Sequence, residues 1–228
     1  MKKVKSNLEK AVLNNIAWCE IVCETLHKEY TSNGQVWRLL SEAPPFYPDI
    51  ITSTKKVTTS EVVDFMGDRE ILSIKDSYAN LELQPAGFNR LFQAEWIFHP
   101  SVATPEPVDA YWRVIEKEED FKKWTSAHGS EQVMKNTLLG RNDVKIFIHE
   151  NEDGISGFIA NSGADAVGIS NVFSNGYTEG DLWSDIVHLV STVFADLPMV
   201  GYETGDDLIA ARSSGWKTLG PLNVWVKS

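Results

Sequence analysis

Apolar residues recur every three to four positions in several segments of the chain, a spacing typical of helices with one buried face. The first such helix is predicted over residues 6–29, before Asn33-Gly34, with Val12, Ile16 and Cys19 on its apolar face. Ser and Thr residues at the predicted starts suit N-caps. Further helices are predicted over residues 58–66, 118–128, 130–139, 182–193 and 206–214.

Short apolar and alternating runs between these segments predict strands. Val144–His149 alternates apolar and polar positions and predicts a half-buried strand, followed by a hairpin turn at Asp153-Gly154. Gly220-Pro221 predicts a turn between the last two strands. Predicted strands include residues 36–40, 50–52, 111–115, 144–149, 155–160, 166–173, 199–203, 216–219 and 222–226.

One supersecondary pattern occurs twice: a strand ending in an acid, a helix-like stretch, a Gly-aromatic pair and a strand carrying Trp. The later copy comprises Met199–Glu203, Gly215-Trp216 and Trp225, and the earlier copy comprises Ile71–Asp76, Gly87-Phe88 and Trp96. Such repetition predicts two related lobes. A proline-containing segment with few apolar residues separates them. We therefore expect an N-terminal helix and lobe over 1–100, a linker over 101–109 and a second lobe over 110–228.

Another proline-rich segment, Ala43–Pro48, is too stiff for regular structure. Its aromatic residues suit the lining of a cleft, but we favour a rigid surface connector. Exposed aromatic residues at Trp37, Phe46 and Tyr47 would also suit a homodimer contact.

Composition narrows the classes of partner. The chain has 43% hydrophobic residues and a net charge of −11, which supports a packed core and disfavours nucleic acid or anionic membrane as partners. A cationic or neutral partner such as an amine fits this charge. No run approaches the ~20 apolar residues of a membrane span, and no apolar signal-peptide core follows the basic N-terminus. We expect a cytoplasmic protein.

Cys19, Cys23 and His27 follow one helical stripe and include ligand types that zinc prefers. The same stripe is an ordinary apolar helix face on which free Cys acts as a small hydrophobe. No fourth ligand is evident nearby, so we expect no metal site. The sequence also has no nucleophile-elbow or phosphate-loop motif.

The predicted order from residue 110 onward, β-α-α-β-β-β-α-β-α-β-β, resembles the GNAT-type N-acetyltransferase superfamily. Val200–Glu203, Gly215-Trp216 and Leu222–Val226 carry the closest local similarity, and the first lobe is similar only in its final third. The resemblance implies an α/β (α+β) fold with a mixed, mostly antiparallel central sheet flanked by helices, in tandem lobes.

The resemblance also implies a reaction, in which a small amine attacks the thioester of acetyl-CoA between two diverging strands. These strands match Val167–Phe173 and Met199–Glu203. Glu203 is the candidate base, Tyr202 the candidate acid and Ser170 a candidate substrate contact. The candidate acetyl-CoA contacts are Asn171, Val172, Phe173, Ser174, Gly176, Tyr177 and Gly180.

Two features depart from the family pattern. The segment Ser174–Asp181, where the family has a basic glycine-rich loop, contains two acids and no Arg or Lys. Ala211 stands where the family often has Tyr. Glu203 could alternatively be a structural carboxylate that binds the amides of the next helix. The alternative function is a catalytically inactive GNAT-like protein that binds a ligand or partner.

Overall fold

The computed structural model describes residues 4–227, apart from the side chains of residues 179 and 180. The helices are Asn7–Thr25 (α1), Thr59–Met66 (α2), Glu118–His128 (α3), Glu179–Val193 (α4) and Gly205–Ser213 (α5), with 3-10 turns at Gln84–Ala86 and Asn136–Gly140. The strands are Tyr30–Ser32 (β1), Val36–Leu39 (β2), Ile50–Thr52 (β3), Ser73–Asp76 (β4), Phe88–His99 (β5), Trp112–Val114 (β6), Val144–Asn151 (β7), Gly154–Gly163 (β8), Ala166–Phe173 (β9), Met199–Glu203 (β10) and Lys217–Lys227 (β11).

All of these strands belong to one continuous sheet with the order β1-β2-β3-β4-β11-β5-β10-β9-β8-β7-β6. Two of its neighbouring pairs, β3 with β4 and β9 with β10, are parallel, and the other pairs with a given register are antiparallel. Helices cover both faces of the sheet. The predicted fold class, a mixed and mostly antiparallel sheet flanked by helices, is therefore confirmed.

The two halves of the chain repeat the same arrangement and exchange one strand. In each half three antiparallel strands lead to a parallel fourth, β1-β2-β3-β4 in one and β7-β8-β9-β10 in the other. The final strand of each half then pairs with the fourth strand of the other half, β5 with β10 and β11 with β4. The repeat thus extends through β1–β5, well beyond the final third of the first lobe.

This exchange bears on the expected linker over residues 101–109. The segment runs along α4, where the Val102 amide donates to Ser191 Oγ at 3.0 Å and the Glu106 amide donates to His188 Nδ1 at 2.9 Å. Because β5 lies between β10 and β11, both halves build the centre of one sheet. The division into lobes over 1–100 and 110–228 stays a prediction.

Helix α1 packs against the second half of the sheet through a buried polar contact. Asn14 Nδ2 donates to the carbonyls of Asn161 and Gly163, both at 3.1 Å. Gly168 allows this close approach, because a Cβ atom there would lie 1.8 Å from Asn14 Oδ1. The contact fixes the next turn of α1 beside the ends of β9 and β10.

Packing clusters assign the helices to faces. Trp18 and Val22 of α1 pack with Trp124 of α3, whereas Trp183 and Ile186 of α4 pack on the other face with Met199 and Trp216. Adjacent residues of β10 follow this division, since Met199 contacts the α4 side and Val200 the α1 side.

Several local predictions were wrong, each for a physical reason. Gly220, at φ 137°, forms a bulge inside one long β11 and no turn. Ser130 begins a tight turn, and the only helical structure found between it and Arg141 in the described chain is the 3-10 turn Asn136–Gly140. Helix α1 ends at Thr25, so Asn33-Gly34 closes the β1–β2 hairpin. Strand β7 is buried on both faces, because helices cover both.

Within the described residues, no helix is long and apolar enough to cross a membrane.

Candidate functional site

The parallel strands β9 and β10 pair only at their beginnings. Their register consists of Met199 opposite Val167 and Val200 opposite Gly168, although β9 continues to Phe173 and β10 to Glu203. The carboxyl ends therefore diverge, as the family resemblance implied. A gap between parallel strands leaves backbone groups available to a ligand.

A β-bulge in β9 sharpens this divergence. Ser170 lies opposite Ile159 and Phe173 opposite Gly157, so β9 has one more residue than β8 across this stretch. Asn171 lies within the bulge in the left-handed region at φ 53°, a conformation that Asn tolerates better than most residues. Its Nδ2 donates to Ser170 Oγ at 2.9 Å. Bulges redirect backbone and side-chain groups beside many active sites.

A cavity of about 380 Å³ opens at this point. Five predicted site residues line it together: Ser170, Asn171, Val172, Tyr202 and Glu203. Sequence reasoning missed the residues that complete the walls, among them Asn15, Trp18, Cys19, Lys75 and His128. The volume suits a small molecule.

Glu203 is half-buried at the end of β10 and lines the cavity. Burial, with a smaller contribution from the neighbouring Asp207 carboxylate, raises its pKa to about 8. Glu203 forms no hydrogen bond or ion pair with another described residue. The structural alternative, a carboxylate that binds the amides of the next helix, is therefore not what the structure has. A carboxylate with a pKa near neutrality is suited to accept a proton.

Lys75 reaches the cavity from β4, in the first half of the chain. It is 4% exposed, and its Nζ donates to Asn15 Oδ1 at 2.9 Å and to the Tyr202 hydroxyl at 3.2 Å. The ammonium also lies 4.4 Å from the centre of the Tyr202 ring. A single Lys in an otherwise buried strand was the signal in the sequence that could have identified it.

The proline-rich segment Ala43–Pro48 forms one wall of the cavity through Phe46, Tyr47 and Pro48. Our preference for a surface connector was wrong, and the cleft-lining alternative is what the structure has. Burial raises the pKa of Tyr47 well above its usual range, so this hydroxyl keeps its proton. Trp37, expected to be exposed for a homodimer contact, is 1% exposed and cannot serve in one.

The remaining predicted acetyl-CoA contacts lie outside the cavity. Phe173 packs edge-on against Trp124. Tyr177 points to the α4 side, where its hydroxyl donates to Asp185 Oδ2 at 2.6 Å. The main chain of Gly176 is packed against that of Asp153, and the Ser174 hydroxyl donates to the Tyr177 carbonyl. Gly180 belongs to the first turn of α4, but its surroundings lie outside the described residues.

The two cysteines are buried, consistent with the apolar-face interpretation. Burial raises the pKa of Cys19 to about 11 and that of Cys23 to about 12, so both are neutral thiols near pH 7. Among the described residues no group of three or more His, Cys, Asp or Glu side chains could hold a metal ion.

No protein-family model matches the chain, and no curated protein sequence matches it significantly. Several solved structures are similar to it in fold. A GCN5-related N-acetyltransferase from Kribbella flavida is 10% identical with a TM-score of 0.62, over 95% of this chain and 96% of that one. A protein assigned to the GNAT family from Novosphingobium aromaticivorans is 10% identical with a TM-score of 0.61, over 98% and 100%.

A conserved protein of unknown function from Staphylococcus epidermidis is also similar, with 10% identity and a TM-score of 0.65 over 88% of this chain and 94% of that one. These matches span both halves of the chain and leave little of either protein uncovered. At such low identity they establish shared architecture. The chain has a fold of the GNAT superfamily.

Proposed function

We propose that this protein is an acyl-CoA-dependent N-acetyltransferase that acts on a small amine. The observation that carries the proposal is the gap between β9 and β10, with Glu203 beside it at a pKa of about 8. The neighbour from Kribbella flavida that is named an N-acetyltransferase shares this fold over 95% of the chain, which supports the same class of activity here.

The residues around the gap fit the acyl end of such a co-substrate. The bulge at Asn171 leaves backbone groups of β9 unpaired with β10, and Val172 offers an apolar contact. The diphosphate end fits less closely. The Asn175 amide already donates to Ser156 Oγ at 3.0 Å, and 174–181 contains no Lys or Arg. The N-terminus of α4 is the remaining anion-binding element nearby.

Acetyl-CoA would supply an acetyl group activated as a thioester. Asn171 and Val172 would hold that group through their backbone. Trp18, Tyr47 and Val172 would keep water from the reacting carbon, since together they wall the cavity.

Glu203 would act as the base of the reaction. The acceptor amine must lose a proton as its nitrogen bonds to the acyl carbon, and Glu203 Oε would accept it. As the carbon–sulfur bond breaks, the leaving sulfur takes a proton. The Tyr202 hydroxyl, which lines the same cavity, is the donor we propose.

Calorimetric titration with acetyl-CoA tests the first requirement. We expect saturable binding below millimolar concentration, followed by release of free thiol when a panel of small amines is added. Absence of heat at millimolar acetyl-CoA would contradict the proposal and favour the inactive ligand-binding alternative.

A variant that fills the gap provides the matched comparison. Ser170→Phe should abolish acetyl-CoA binding, because it places a ring in the cavity. Ser162→Phe lies on the neighbouring strand at the far end of the β8–β9 hairpin and should retain binding. Thermal unfolding of both variants checks that each is folded.

A further inference from the structure

The cavity contains a buried cation for which the described protein provides no anion. The Lys75 ammonium has two neutral partners, Asn15 Oδ1 and the Tyr202 hydroxyl. It forms no ion pair with any described residue, although many exposed lysines and arginines do. An ammonium has three protons to donate, and a buried charge without a counter-charge is costly.

The groups around Lys75 do not neutralise it. Cys19 lines the same wall but is a neutral thiol. His128, also in the wall, cannot supply an anion, because a His side chain is either neutral or positively charged. Burial lowers its pKa below the usual value for His. Glu203 lies at the same cavity without an ion pair to Lys75. The cavity therefore presents a cation without a counter-charge to a small ligand.

We propose that the acyl acceptor carries a carboxylate as well as its amine, and that Lys75 binds this carboxylate. Asn15 and Tyr202 hold the ammonium in place. An acceptor with both an amine and a carboxylate resembles an amino acid. This inference rests on the proposed function, because it concerns the acceptor of that reaction.

The position of Lys75 argues against the diphosphate of the co-substrate as its anion. Lys75 contacts α1 through Asn15, whereas α4, whose N-terminus we propose for the diphosphate, packs on the opposite face of the sheet. The cavity of about 380 Å³ is near the lower end for ligand pockets, which favours a small acceptor over a long peptide.

The test compares three forms of the same acceptors. Amino acids, their methyl esters and the amines that remain without the carboxyl carbon are assayed by thiol release from acetyl-CoA. We expect kcat/KM to fall about 10- to 100-fold when the carboxylate is removed or esterified, the range for a buried hydrogen bond to a charged group. Equal or faster turnover of the esters and simple amines overturns the proposal.

Variants of Lys75 connect this preference to the side chain. Lys75→Met should reduce the ratio of kcat/KM for the amino acids to kcat/KM for the simple amines about 10- to 100-fold, whatever it does to turnover of both. Lys75→Arg, which keeps the charge, should retain part of the preference. An undiminished preference for carboxylate in Lys75→Met contradicts the assignment.

A binding measurement separates this inference from the proposed function. N-acetyl amino acids, the expected products, are titrated into the protein without acetyl-CoA. Saturable binding that Lys75→Met weakens supports the carboxylate site even if no amine is ever acetylated. Binding that is absent, or equal in both proteins, overturns the carboxylate site even if simple amines are acetylated.

Discussion

The two halves of this chain place an acid at the end of an equivalent strand and use it in opposite ways. Asp76 ends β4 and is fully buried, with its carboxylate accepting from the Leu81 amide at 3.0 Å and the Tyr78 amide at 3.3 Å. Glu203 ends β10 and faces a cavity without a described partner. The same supersecondary unit thus provides a hydrogen-bonded structural carboxylate once and a cavity-lining carboxylate without a described partner once.

The strands beside these acids differ in the same way. Beyond the last pair of β3 and β4, the Ser77 amide donates to Thr52 Oγ1 at 2.9 Å, and Trp96 Nε1 donates to the Ser77 carbonyl at 2.8 Å. These bonds hold the strand ends together around a buried ring. Pairing of β9 with β10 instead ends at Gly168 and Val200, and β9 has its bulge against β8 at Asn171, just beyond that point. The closed half and the open half thus differ by a local insertion in one strand.

Glu203→Gln gives the largest expected effect, because it removes the proposed base while keeping shape and hydrogen-bonding capacity. We expect kcat for acetyl transfer to fall about 100-fold or more, as general bases contribute roughly 10²–10⁴-fold. Binding of acetyl-CoA by calorimetry should change little. Glu70→Gln, an exposed carboxylate shortly before β4, is the control. Full activity in Glu203→Gln would remove the functional difference between the two acids.

The pH dependence of the rate is the next largest effect. With its pKa raised to about 8 by burial, Glu203 is protonated at lower pH and cannot accept a proton. Activity should therefore increase about tenfold per pH unit toward pH 8 and level off above it. The residual activity of Glu203→Gln, measured with the same amine, should lack this limb. If the rise in activity toward pH 8 persists in the variant, it reflects deprotonation of the substrate amine.

Much of the fold was predictable because it depends on local patterns. Periodicity and turn residues placed α3, β9 and β10 at their observed bounds, and the repeat of acid, glycine and tryptophan identified the related halves. The exchange of β5 and β11 was not predictable, since the pairing of a strand depends on distant residues. The turn predicted at Gly220-Pro221 was wrong because this pair is typical of turns, whereas here pairing with the distant strand β5 accommodates it as a bulge.

The candidate site likewise contains residues that local sequence could identify and residues whose position depends on distant contacts. Ser170, Asn171, Val172, Tyr202 and Glu203 were identified because they end strands of a resembling motif. Lys75 stands out as a Lys in a buried strand, but its place at the cavity could not be predicted, because it contacts Tyr202 across 127 positions of the chain. Tyr177, a candidate from the same resemblance, does not line the cavity, because its hydroxyl donates to Asp185.

Asp76→Asn tests the structural half of the comparison. An amide cannot accept from both backbone N–H groups that Asp76 now binds, so the variant leaves a buried polar group unsatisfied. We expect a loss of about 1–3 kcal/mol in the free energy of unfolding, measured by urea denaturation. Asp68→Asn, at an exposed site after α2, should cost much less. Loss of acetyl transfer in a folded Asp76→Asn would show that this acid, too, has a catalytic role.

The bulge gives the smallest effect and the most specific one. Asn171→Ala places a Cβ atom in a left-handed conformation without the local hydrogen bond of Asn, at a cost of about 1 kcal/mol. Asn171→Gly loses the same side-chain bond to Ser170 but keeps the conformation without strain. Both variants lose one hydrogen bond, so their difference isolates the backbone. We expect the Gly variant to be the more stable in urea denaturation and to keep acetyl-CoA binding, with weaker binding in the Ala variant. Equal binding in the two would mean that the bulge geometry does not open the gap.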